Sequence, residues 1–156
     1  MTKNIGHTTL ICLILCCLIL CCLISCETIN KKSPIPDSRL DFELHILRDA
    51  PELNIVGNYK LINKPLHLYQ YIGFGGLLLY HTFDDEIVAF DLACPYEVNP
   101  EIKVDSITII GEAICRKCHS VYDVAYGTGA PRKGVSTHYL RKYRTYLTGD
   151  IIRITK

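Results

Sequence analysis

The chain is short of several things that would decide its chemistry at once. Its only methionine is Met1, so nothing beyond the first residue can offer a thioether ligand. Seventeen Lys and Arg face sixteen Asp and Glu, a formal charge of +1. That balance lacks the basic excess a nucleic-acid-binding surface needs, so no nucleic acid partner is expected. The cluster Arg141-Lys142-Tyr143-Arg144 is basic, but it reads as a solvated strand face. The longest apolar run, Leu10 to Ile24, is shorter than the roughly 18 residues that span a bilayer comfortably. There is no internal repeat and no long stripe of apolar residues at helical period. Paired carboxylates are missing: Asp105, Glu112 and Asp123 form no such site, and no Ser–His–Asp arrangement stands out. The glycine-rich stretch Gly73-Phe74-Gly75-Gly76 precedes a strand and not a helix, which argues against a phosphate cradle.

What is present begins at the N-terminus. Lys3 followed by the compact run Leu10–Ile24 has the pattern of a secretory signal. The alternative is an uncleaved membrane helix. Leu23-Ile24-Ser25-Cys26 resembles the lipobox of bacterial lipoproteins. The resemblance implies cleavage before Cys26 and a lipid on its sulfur. It also implies an exported, membrane-anchored protein facing the periplasm or cell exterior. Several acyl chains on one residue anchor stably, at about 0.8 kcal/mol per buried methylene. The chain has nine cysteines, and the five before Cys26 read as small apolar residues of the signal. Residues 1–25 are thus expected to be a signal peptide. Residues 26–39, polar and carrying Pro34 and Pro36, are expected to be a lipidated N-terminus and semi-stiff tether.

The remainder, 40–156, is large enough for one domain. Phe42–Leu47, Leu77–Tyr80, Ile87–Phe90, Ile107–Ile110, Val121–Val124 and Ile151–Ile154 are short, β-branched or aromatic, and read as strands. Turns are expected at Asp84-Asp85, Asn99-Pro100, Gly127-Thr128-Gly129 and Gly149-Asp150, the first closing a tight hairpin. Many short strands at regular spacing predict an all-β, antiparallel sandwich or barrel.

Cys94 follows one expected strand directly, and Cys115-Arg116-Lys117-Cys118-His119 follows another after a short turn. Thiols this closely spaced in an exported chain point to metal or redox chemistry. The phrases around them resemble the Rieske iron–sulfur domain. Val88-Ala89-Phe90-Asp91-Leu92-Ala93-Cys94-Pro95 is similar to the lead-in to its first ligand loop. Cys115 to Val124, then Gly127 to Gly134, is similar to the second ligand loop and the glycine and proline loop after it. The resemblance covers about Leu40 to Ile154. It implies a Rieske-like sandwich with a cysteine-bearing loop subdomain, in which Cys94 and Cys115 are ligands. Gly129, Pro131 and Gly134 would lie in the loop that shields the cluster. Ser120 and Tyr122 would hydrogen-bond sulfurs, or would serve simply as turn and core residues. Two family ligands are replaced: Tyr96 stands at the first histidine position, and Cys118 at the second, with His119 one place beyond.

Three outcomes are open at this site. One is a 2Fe–2S cluster on Cys94, Cys115 and Cys118 with Tyr96 or His119 as fourth ligand, its potential lowered by the extra thiolate. Another is zinc, which accepts three cysteines and a histidine. The third is a site without metal, with Cys115 and Cys118 joined as a strained disulfide. Cys115-x-x-Cys118-His119 also satisfies the c-type haem attachment pattern. That motif normally opens a helix, leaves Cys94 unexplained, and would need a second histidine in place of methionine. His45, His67, His81 and His138 show no metal spacing. The expected function is one-electron transfer with an unidentified redox protein as partner, and not catalysis by this chain alone. The alternative is a non-redox structural or interaction module on the same scaffold.

Overall fold

The computed structural model describes residues 33–156. The signal, Cys26 and the first half of the tether, to residue 32, lie outside the described residues. The chain is mostly antiparallel β-sheet, as its short apolar runs predict. In order it forms β1 (Leu40–His45), a helical turn α1 (Ile46–Asp49), a 3₁₀ turn (Pro51–Asn54), β2 (Tyr59–Ile62), β3 (Tyr71–Ile72), β4 (Leu77–His81) and β5 (Ile87–Asp91). Then come β6 (Ala93–Cys94), β7 (Asn99–Lys103), β8 (Ser106–Ile107), β9 (Glu112–Ile114), β10 (Val121–Asp123), β11 (Pro131–Lys133), β12 (Lys142–Thr148) and β13 (Ile151–Thr155).

Seven of these strands make one sheet in the order β2-β4-β5-β12-β13-β1-β3. The other six form a four-stranded sheet, β11-β10-β9-β8, and the small pair β6-β7. All six lie between β5 and β12, which are themselves paired, Lys142 opposite Phe90 and Tyr143 opposite Ala89. The cysteine-bearing stretch therefore leaves the large sheet and returns to it at one place.

Strand β4 shows why its sequence is continuously apolar. Side chains alternate between faces along a strand, and every residue of β4 is buried. Leu77 and Leu79 join Phe42, Leu44, Leu53, Ile152 and Ile154 on one face. Leu78 and Tyr80 join Phe90, Cys94, Cys115 and Tyr122 on the other. Each fully buried aliphatic or aromatic side chain contributes about 1.5–3 kcal/mol. The second cluster fastens the small sheet, and with it two of the cysteines, onto the large one. Strand β1 is covered on one face only and reads accordingly, with Leu40, Phe42 and Leu44 buried between exposed neighbours.

Several expectations need correction. Ile107–Ile110 is not a strand: β8 stops at Ile107, and Thr108 accepts at its carbonyl from Gly111 N in a turn that leaves Ile109 94% exposed. Its apolar character mimicked a buried run. Asn99-Pro100 begins β7 and is not a turn. The end of the expected strand Phe42–Leu47 is instead the first half of α1, where the Asp49 carboxylate accepts from the backbone N–H of His45 at 2.9 Å. The last part of the expected tether is pinned to the domain. Ile35 is 3% exposed, Arg141 donates to its carbonyl at 2.9 Å, and Arg141 and Lys156 both pair with Asp37.

Candidate metal centre

The site begins with Asp91 at the end of β5. This carboxylate is completely buried, and four donors satisfy it. Oδ1 accepts from Gly75 N and Ala93 N at 2.9 and 2.8 Å. Oδ2 accepts from Phe74 N at 2.8 Å and from the Tyr143 hydroxyl at 2.7 Å. Burial raises the Tyr143 phenol, and the Asp91 charge raises it further, so it remains a donor. The glycines of Gly73-Phe74-Gly75-Gly76 make this arrangement possible. A Cβ on Gly73 would stand 2.6 Å from the Tyr143 hydroxyl, and one on Gly75 would stand 2.6 Å from Ala93 N. The role of this stretch is therefore to fold around a buried anion, which fixes the chain three residues before Cys94. The sequence reading did not single out Asp91. Its signal was an acidic residue inside an apolar run, flanked by Phe90 and Leu92.

Cys94 ends β6 and Cys115 immediately follows β9; both are fully buried. Cys118 lies in the turn between β9 and β10 and is partly exposed. The sulfurs of all three lie within 4.8 Å of one another. Cys94 and Cys118 approach to 3.6 Å, and none of the three is in a disulfide. The three thiols that the spacing singled out are thus brought together, and they can bind a metal. No histidine or carboxylate among the described residues shares that 4.8 Å cluster. His119 is exposed and Tyr96 is 51% exposed.

Hydroxyls border the sulfurs. The Tyr122 hydroxyl lies 3.5 Å from Cys94 Sγ, and the Cys118 thiol donates to Ser120 Oγ at 3.3 Å. Ser120 Oγ also accepts from Ser136 N at 3.1 Å. This second contact brings the segment after β11 against the site. Gly134 is what permits it: its φ is +95°, and a Cβ there would meet Ser120 Cα at 2.6 Å. Pro131 lies opposite Tyr122 in the β10–β11 pair, and Gly129 lies against Phe90.

Burial dominates the thiol electrostatics. It pushes Cys115 up to about 12, with the neighbouring thiols adding to the rise and the N–H groups of Cys118 and Lys117 opposing it. Burial also raises Cys118, but contacts with Ser120 and with the Cys115 and Cys94 thiols together offset this, and the net direction is down. Divalent metal charge would favour the thiolate form of all three, since a coordinating thiol is deprotonated outright. Burial raises Tyr122 strongly, keeping it a phenol beside Cys94.

The c-type haem pattern fits poorly here. Cys115 has no exposed surface, and Cys115-x-x-Cys118 forms a tight turn between strands. A second feature also escaped the sequence reading. Glu97, in the first loop, accepts from Lys117 Nζ of the second at 2.6 Å, and its side chain is only 12% exposed. This ion pair raises the Lys117 ammonium above its usual range. Among the described residues no helix is long and apolar enough to cross a membrane. Comparison with models of known families, with curated proteins and with solved structures finds no match to this chain.

Proposed function

We propose that this chain is an exported, lipid-anchored, Rieske-like metalloprotein whose cysteine loops hold a single metal ion. The observation that carries the reading is the sulfur spacing. Metal–sulfur bonds of about 2.3 Å in a tetrahedron separate the sulfurs by roughly 3.8 Å. Cys94 and Cys118 stand 3.6 Å apart, and Cys115 lies within 4.8 Å of both. Sulfurs sharing one metal stand closer together than sulfurs divided between two irons. The set of three thiolates suits zinc, which would tie the two loops together as a structural cross-link. The domain is then a non-redox structural or interaction module.

A second reading keeps the 2Fe–2S cluster and one-electron transfer. The Tyr122 and Ser120 hydroxyls beside Cys94 and Cys118 favour it, because hydrogen bonds to cluster sulfurs set reduction potential. Cys94, Cys115 and Cys118 would hold such a cluster, which would supply the electron-carrying orbital. The chain's own part is to bury two of the sulfurs and present the third, Cys118, toward a redox partner.

Support for the anchor is the Leu23-Ile24-Ser25-Cys26 pattern after an apolar run. One preparation made without oxygen tests the metal readings. Zinc or iron at one ion per chain without acid-labile sulfide is the expected result. Iron with matching sulfide and a reducible visible chromophore establishes the second reading. Absence of any bound metal, after reconstitution as well, sinks both. Replacing Cys26 by serine is expected to release the protein from the membrane fraction.

A further inference from the structure

The two cysteine loops share a hydrogen bond and a left-handed residue at matching positions. In the first, Cys94-Pro95-Tyr96-Glu97-Val98, the N–H of Val98 donates to the Cys94 carbonyl at 2.9 Å. In the second, Cys115-Arg116-Lys117-Cys118-His119, the N–H of His119 donates to the Cys115 carbonyl, also at 2.9 Å. Val98 and His119 both adopt left-handed backbone, with φ of +49° and +57°. Among the described residues the only other non-glycine with positive φ is Asp85, in the β4–β5 turn. A β-branched residue in this region is a real outlier and stores backbone strain. The first loop therefore holds a strained turn whose shape matches a turn that carries two metal-ligating residues, three apart.

Superposing the loops by their positions puts Glu97 where the second has Cys118. Each turn then offers a ligand at its first and fourth residues, the spacing by which short cysteine loops grip a tetrahedral ion. Glu97 has the chemistry for it, since carboxylate oxygen is an accepted zinc ligand. It is also largely covered, at 12% side-chain exposure, which is unusual for an acidic residue in a surface loop. Its carboxylate already points to the opposite loop, where it pairs with Lys117, the residue between Arg116 and Cys118. Lys117 adjoins Cys118 in the chain, so this ion pair ties the Glu97 side chain to the turn that carries Cys115 and Cys118.

We propose that Glu97 is the fourth ligand of the centre, completing a three-thiolate, one-carboxylate tetrahedron around a single divalent cation, zinc being the best match. This rests on the single-ion reading above and names the group that closes it. To coordinate, Glu97 turns from Lys117 toward the sulfurs. Lys117 then offsets part of the surplus negative charge of the four anionic ligands.

The test loads the full-length chain, purified in detergent, with zinc and reads its coordination by X-ray absorption, with cobalt(II) as an optical probe. The expected first shell is three sulfurs and one oxygen. Glu97→Cys is expected to convert it to four sulfurs and to shift the cobalt bands accordingly. Glu97→Gln is expected to weaken zinc binding by more than about tenfold, at least the loss typical of outer-shell changes. Should the Gln variant fail to fold, the wild-type oxygen signal and the Cys variant still decide. Three sulfurs and one nitrogen, unchanged in Glu97→Gln and lost in His119→Ala, would overturn Glu97 while leaving the single-ion centre intact. A two-iron cluster, or no metal in either wild type or Glu97→Cys, would overturn both.

Discussion

The sulfurs of Cys94 and Cys118 stand 3.6 Å apart although 24 residues separate them in the chain. Holding two thiols together across that separation requires both loops to be fixed by something other than the thiols. The fixing groups are Asp91 on one side and Ser120 on the other. A metal bound here should therefore act on folding stability as a cross-link between preformed turns. Zinc at about 100 times its dissociation constant should stabilise the wild-type chain by about 2.7 kcal/mol. Melting temperature measured with and without zinc should rise in the wild type and stay put in Cys94→Ser and Cys118→Ser. An equal rise in those variants would place the ion elsewhere.

Asp91 is the most demanding polar group of the described core. Replacement by asparagine keeps the shape, but turns an NH₂ group toward donors that the carboxylate now satisfies. Leaving such buried groups unmatched should cost about 3 kcal/mol or more. Tyr143→Phe removes only one of the four hydrogen bonds and should cost about 1–2 kcal/mol. Urea midpoints measure both, and a midpoint unchanged in Asp91→Asn would contradict the role assigned here.

Gly134 tolerates no side chain against Ser120, whose Cα would lie 2.6 Å from an added Cβ. Gly134→Ala also places alanine at a φ of +95°. Together these should destabilise by about 1–3 kcal/mol. The segment through Ser136 should lift from Ser120, and Cys118 should become more reactive toward a thiol reagent. Gly149→Ala is the control: it shares a positive φ but has nothing within 4 Å.

Asp49 supplies an acid limb. The Arg48 guanidinium, and then the backbone N–H of His45, hold its carboxyl at about 2 in the folded chain, against about 3.9 when unfolded. The unfolded state therefore binds the proton first as pH falls. The stabilisation is complete above about pH 4 and disappears as pH drops toward 2. Asp49→Ala should lower stability at pH 7 and flatten the decline across that window, as denaturation at a series of pH values would show.

Arg141 fastens the N-terminal segment through the Ile35 carbonyl and Asp37. Arg141→Ala should leave global stability within about 1 kcal/mol, since partly exposed ion pairs contribute little. It should speed tryptic cleavage after Arg39, which is exposed. Cleavage at an unchanged rate would mean that Ile35 packing alone holds the segment.

Residue patterns disclosed the strands with the strongest signals. Leu77–Tyr80, Ile87–Phe90 and Ile151–Ile154 are β-branched or leucine-rich runs bounded by turn residues, and each lies in a strand. Strands such as β7 and β11 were illegible because proline and charge fill them, and pairing with a neighbour, not propensity, makes them extended. Ile109 and Ile110 misled for the opposite reason, being apolar residues placed on an exposed turn. At the site, the three thiols could be named because cysteine is scarce in the body of the chain. Glu97 could not, because one acidic residue among sixteen carries no signal until its turn is seen to duplicate that of Cys118.

Strands β5 and β12 hydrogen-bond directly to one another, and everything from Leu92 to Arg141 is an excursion from that seam. The large sheet closes its own ladder whether or not the excursion carries an ion. The backbone bonds of that seam are therefore independent of the ligand turns, and a change of ligand type in the turns is expected to leave the register of β5 against β12 intact.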